Sequence, residues 1–211
     1  YLAKTLEKLG VPTFICRNAI DIDRWPVLDP TDTGNVGWVG GIPWRGSDLQ
    51  ILKGVLGPFL EKNDLTFIHG GDSPHGASAA FQIGLDPKKI TIMTSPIVDF
   101  ADYPGLWEPI DIALVPIDCT SFGLSKSWIK GLEACASGLP FIASDHPAYR
   151  ELGAGRLAKD ARHWLAHLEA LLDPTVRKEE GLKNRERAEE LSIGNQWQVW
   201  EQAFQAIAGA A

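Results

Sequence analysis

The side chains best equipped for chemistry cluster between Ser125 and Asp145, in the stretch SKSWIKGLEACASGLPFIASD. Lys126 and Lys130 stand at the head of an amphipathic segment, and Glu133 lies three positions after Lys130. Ser137-Gly138 then breaks the pattern before an apolar run. Ser125 or Ser127 can cap such a helix, so free N–H groups and two ammonium groups converge where an anion would bind. The chemistry this offers is the holding of a phosphorylated ligand. Pairing of Glu133 with Lys130 along the helix accounts for the carboxylate more simply, at about 0.3 kcal/mol. Yet Trp128, Ile129, Leu132 and Ala136 surround it with apolar groups, and an ionised carboxylate in such a setting needs a partner or a ligand.

Three further loops could carry binding groups. In GGIPWRGSD, Gly40-Gly41 lets backbone approach a ligand closely, Arg45 can grip phosphate oxygens with two parallel bonds, and Ser47 caps the next helix. An ordinary turn with a solvated arginine explains the same residues. HGGDSPHG is also glycine-rich, but His69 and His75 lack metal-ligand spacing, so no metal is expected. In TSPIVDFADYP, Pro96, Ile97 and Val98 could lie flat against a base, or simply cover the core.

The elements that must position these loops alternate. Candidate strands are Thr13–Cys16, Val36–Val39, Leu65–His69, Ile90–Met93, Ile112–Pro116 and Pro140–Ala143. Helical patterns fall at Ser47–Lys62, Ser73–Gly84, Tyr103–Trp107 and Ser127–Ser137. Continuous apolar runs suit strands buried on both faces, and strand–helix alternation predicts an α/β fold with a doubly wound, Rossmann-like parallel sheet. In such sheets ligands bind at the carboxyl ends of the strands, which is where all four loops fall. The expected division is a linker segment over 1–25, a nucleotide-binding domain over 26–157 and C-terminal helices over 158–211. RHWLAHLEALLDP reads as an amphipathic helix stopped by Asp173-Pro174. Val176 to Ala208 reads as a long charged helical region whose Trp197, Trp200 and Phe204 pack on the core, or else face a partner domain.

Composition narrows the function. The 211 residues carry 20 basic and 27 acidic side chains, a formal charge of −7, which argues against nucleic acid as a partner. No apolar run approaches the length of a membrane-spanning helix. Cys16, Cys119 and Cys135 are far apart in apolar settings, and read as buried free thiols in a reducing, cytoplasmic compartment. The start at Tyr1, in what reads as the end of a helix, implies that an earlier part is missing.

Taken together, TFICRNAIDIDRW, NVGWVGGIPWRG and DIALVP followed by KGLEACASGLPFIASD resemble the C-terminal, donor-binding domain of GT-B glycosyltransferases, notably the retaining family 4 group. The variant KSWIKGLE…ACASGLPFIAS…PAYREL looks most like phage and actinobacterial members. The resemblance implies a donor site for a nucleotide diphosphate sugar, with no cofactor and no metal. Glu133 would hold the ribose hydroxyls, and Gly40, Gly41 and Arg45 would meet the diphosphate. Ser127, Trp128 and Ile129 would add backbone amides, and Pro96, Ile97 and Val98 would border the base. Arg45 and Lys126 would stabilise the departing diphosphate and so count as catalytic. The acceptor site would lie in a missing N-terminal domain. Two departures stand out. The first of the family's two glutamates falls on Ser125, and its Gly-Arg pair is Gly40-Gly41. The rival readings are a non-catalytic nucleotide-binding or interaction module on the same fold, or another α/β nucleotide binder such as a sugar-nucleotide epimerase.

Overall fold

A computed structural model describes residues 1–11, 13–29, 33–41, 46–71, 78–93 and 99–209. Six short strands form one parallel sheet: β1 (Val36–Val39), β2 (Phe67–Gly70), β3 (Ile90–Met93), β4 (Ile112–Val115), β5 (Phe141–Ser144) and β6 (Arg156–Ala158). Their order is β3-β2-β1-β4-β5-β6. The chain winds outward one way from β1 and returns to start again at β4, so the order reverses between those two strands, where Val36 pairs with Ile112. That reversal opens a crevice above the carboxyl ends.

Alternate residues of β4 and β5 feed two cores. Ile112, Leu114 and Ile142 face one side, against the helices α2 (Gly46–Gln50), α3 (Leu56–Asn63), α4 (Ser78–Ile83) and α7 (Ala161–Ala170). Ala113, Val115, Phe141 and Ala143 face the other, under α5 (Ile129–Ala136), α6 (Pro147–Leu152) and α8 (Pro174–Glu190). Both faces are covered, which is why the strands read as unbroken apolar runs. Helix α1 (Leu2–Glu7) buries none of its residues, and α9 (Ile193–Ala208) buries only Ala203.

Several expectations need correction. Thr13–Cys16 is not a strand: residues 13–19 carry no regular structure, and the only backbone bridge near them among the described residues is Ile20 to Ser192. β6 lies outside the expected strands because three residues beginning with Arg156 make no apolar signature. The span 47–62 is two helices separated by a turn that contains Gly54 at φ 79°. The C-terminal region likewise breaks at Leu191-Ser192. Trp197, Trp200 and Phe204 are not core contacts, being 47%, 38% and 64% exposed. Of the three thiols Cys135 is buried, Cys119 is exposed and Cys16 lies between. Burial pushes the Cys135 thiol far above its ordinary pKa, so it is inert as a nucleophile.

Candidate functional site

Helix α5 is the central element. It rises from the loop after β4, at the crevice, and buries six of its eight residues, Glu133 among them. Gly138 closes it at φ 70°, a left-handed turn that favours glycine. Gly181 lets the backbone of α8 lie against that turn, because a Cβ there would sit 2.1 Å from the Gly138 carbonyl oxygen. Asn184 and Arg185 fasten the contact, donating to the carbonyls of Leu139 and Ala136. Position and rotation of α5 are thus fixed from behind.

The start of α5 differs from expectation. Trp128 is the residue before the first turn, no side chain caps it, and neither Ser125 nor Ser127 serves. Ser125 Oγ instead donates to the Ser121 carbonyl, inside the loop after β4. Trp128 is buried, and its indole N–H donates to the Asn18 carbonyl at 2.9 Å, tying the linker segment to the head of α5.

Glu133 is 8% exposed and has two partners on one oxygen. Its Oε2 accepts from the Tyr103 hydroxyl and from Lys130 Nζ, each at 2.9 Å. Lys130 also donates to the Tyr103 hydroxyl, closing a three-membered cluster. The helix ion pair expected from spacing is therefore present, and the carboxylate still opens onto a cavity of about 220 Å³ beside Trp25, Phe100 and Ile129. A second cavity, about 600 Å³, lies at the head of the helix and is lined by Lys126, Ser127, Trp128, His146 and the opening segment. The first turn of α5 stands between the two. Lys126 is not brought to Glu133; its ammonium lies 3.6 Å from the centroid of the Phe122 ring.

At the end of β1, Gly40 is held against β2. Its N–H donates to the Gly70 carbonyl and its carbonyl meets His69 Nε2 at 2.8 Å, while His69 stacks on Trp38. His69 is thus a packed, hydrogen-bonded histidine. A Cβ on Gly40 would strike the Trp38 ring, whereas one on Gly41 would meet nothing within 4 Å among the described residues. Arg45, Pro96, Ile97 and Val98 lie outside the described residues, as does His75.

Asp111, from the DIALVP stretch, is structural: its Oδ2 accepts from Thr33 Oγ1 and the Asn35 amide, bracing the approach to β1. Sequence reasoning misses Tyr103 as a partner of Glu133. It arrives thirty positions earlier, on a 3₁₀ turn over Tyr103–Trp107, and no spacing along α5 could signal it. Among the described residues no group of three or more His, Cys, Asp or Glu side chains could hold a metal. No helix among them is long and apolar enough to cross a membrane.

This architecture is that of the C-terminal domain of GT-B glycosyltransferases. The chain superposes on the C-terminal domain of a group 1 glycosyl transferase (LpcC) from Francisella tularensis with a TM-score of 0.57 and 20% identity, over 85% of this chain and 98% of that one. It also matches HepE from Anabaena, a structure in complex with UDP, with a TM-score of 0.67, 16% identity and 98% of this chain covered. TarM from S. aureus matches with a TM-score of 0.64 and 15% identity over 95% of this chain. The chain spans 61% of HepE and 41% of TarM. Identities this low establish a shared fold. No protein-family model and no curated protein matches the sequence.

Proposed function

We propose that the chain is the donor-binding domain of a glycosyltransferase, of the family 4 type, that moves a sugar from a nucleotide diphosphate sugar. The observation that carries this reading is the placement of Glu133. A carboxylate buried on a central helix, beside the sheet's reversal point, lines a cavity while a lysine and a tyrosine hold one of its oxygens. Such a fixed acceptor suits the paired hydroxyls of a ribose. The diphosphate would then run to the head of α5 and the backbone at Gly41, with Arg45 and Lys126 neutralising it as it leaves. The structures it resembles support this, since HepE is seen with UDP and with UDP-glucose.

The acceptor would come from a second domain, in keeping with the share of HepE and TarM that the chain spans. The exposed Trp197, Trp200 and Phe204 on α9 supply an apolar face suited to it. Calorimetric titration with UDP-, GDP- and ADP-sugars tests the reading. Binding of at least one is expected, and no heat from any of them in folded protein would refute it. A non-catalytic nucleotide-binding module is the rival, favoured by Ser125, whose hydroxyl is spent on Ser121 where the resembling family has a carboxylate. It predicts nucleotide binding with no sugar transfer or donor hydrolysis even when a second domain is present.

A further inference from the structure

Helix α5 is fixed from behind by α8, and the entry segment over 17–28 ties both of its ends. At the far end the Leu28 N–H donates to the Ser137 carbonyl at 2.9 Å. At the head the tie is the Trp128 indole, whose N–H reaches the Asn18 carbonyl at 2.9 Å. The preceding carbonyl, that of Arg17, accepts from a second indole, Trp200 of α9, at 3.3 Å. Two adjacent carbonyls thus hold indole N–H groups from two different places in the fold. The peptide units that carry them are rigid planes sharing the Asn18 Cα, so only two torsions separate one bond from the other. The Arg17 side chain secures the same point, pairing with Glu151 of α6 at 2.5 Å and lying 5.6 Å from the Trp128 ring centroid. Ile20 then bridges Ser192, and its carbonyl accepts from the Ile193 N–H that opens α9. Residues 17–20 are therefore a strap from α9 to the head of α5.

The two indoles differ in what they face. Trp128 is buried and stands directly before the first turn of α5, which no side chain caps among the described residues. Trp200 is partly exposed and belongs to the row of aromatics that α9 turns outward. A body laid over that row touches Trp200 and removes the water that competes for its N–H, which strengthens the bond to the Arg17 carbonyl. The size of the effect is bounded. One neutral hydrogen bond shifts an equilibrium by no more than about tenfold, so the strap adjusts the head of α5 and does not create it.

We propose that residues 17–20 couple the outer face of α9 to the head of α5, so that a second domain covering Trp200 tightens anion binding there. The identity of the anion, a nucleotide diphosphate, rests on the donor-binding reading; the tie between the two indoles does not. By linkage, bound nucleotide strengthens docking on α9 by the same factor.

The test follows hydrogen exchange at the Trp128 indole by NMR, in the chain labelled at its indole nitrogens. Trp200→Phe keeps an aromatic ring but removes the N–H, and should speed that exchange by about two- to tenfold. Trp197→Phe, one turn earlier on the same face, should leave it unaltered. Whichever of UDP, GDP and ADP the unaltered chain binds most tightly should bind about two- to tenfold more weakly to Trp200→Phe, and equally well to Trp197→Phe. Trp128→Phe should weaken it by a similar factor. Because both substitutions cut one tie, the double variant should lose no more than the larger single loss. Unchanged Trp128 exchange in Trp200→Phe, or the same acceleration in Trp197→Phe, overturns the strap. Additive losses in the double variant, or undiminished nucleotide affinity in Trp200→Phe, overturn the coupling. If the folded, unaltered chain binds none of the three nucleotides while Trp128 still responds to Trp200→Phe, the donor-binding reading has failed and the tie between α9 and α5 stands.

Discussion

Replacing Lys130 with methionine should destabilise the fold more than replacing Glu133 with glutamine, although both substitutions break one ion pair. The carboxylate side chain is 10% exposed and the lysine side chain 22%, so the anion is the more deeply desolvated partner. At the observed 2.9 Å and an effective dielectric constant of about 20, their attraction is about 6 kcal/mol, much of which offsets the cost of removing both from water. Lys130→Met leaves the buried carboxylate with the Tyr103 hydroxyl alone, which should cost about 2–4 kcal/mol. Glu133→Gln leaves an amide that still accepts from Tyr103 and an ammonium that can turn toward water, costing about 1 kcal/mol. The double variant should be less destabilised than the sum of the two by more than about 1 kcal/mol. Urea unfolding of the four proteins, with slopes compared to check that the transition stays two-state, gives these differences. Additive effects, or a glutamine variant less stable than the methionine variant, would show that burial of the carboxylate does not govern the cluster.

Two other outcomes are expected from the geometry around α5. Gly181→Ala should lower stability by about 1–3 kcal/mol despite alanine's better helix propensity, since its Cβ would overlap the Gly138 carbonyl and rotation of a side chain cannot relieve that; an unchanged or raised Tm would refute the contact. Burial lowers the pKa of His146 from its ordinary 6.5, against the opposing pull of the Gly123 backbone and the Asp48 carboxylate. The folded protein therefore keeps His146 neutral where the unfolded chain takes up a proton, so stability is full above about pH 6.5 and declines as the pH falls below it, until the lowered folded value is passed. His146→Gln should flatten the fall in Tm between about pH 7 and 5, and an unaltered slope would exclude this histidine as its source.

How much of the fold and site is legible in the sequence depends on whether the signal is local. Val36–Val39 and Ile112–Val115 announce themselves because both faces of each strand are buried, and their loops then fall at the crevice by the winding of the chain alone. Glu133 stands out for the same local reason, as a charge among apolar neighbours. Its partner Tyr103 does not, because two elements thirty residues apart meet only once the crossover has packed on α5. The head of α5 misleads for a related reason. Ser127 has the right chemistry for a cap, but the loop after β4 turns Ser125 back on itself, and the Trp128 indole is drawn inward by the Asn18 carbonyl. The aromatics of α9 have the same helical spacing whether they face a core or a partner, so Trp197 and Phe204 can be placed only once the sheet's own helices are seen to fill its faces.

The most direct measurement compares the affinity of the chain for whichever of UDP, GDP and ADP it binds with that for the 2′,3′-dideoxy form of the same nucleotide, in the unaltered protein and in Glu133→Gln. If Glu133 holds the ribose diol, the unaltered chain should lose about tenfold or more on the dideoxy form, as expected for hydrogen bonds to a charged acceptor, and the glutamine variant should lose much less. Equal binding of the two nucleotides by the unaltered chain would contradict the assignment of Glu133 to the sugar ring.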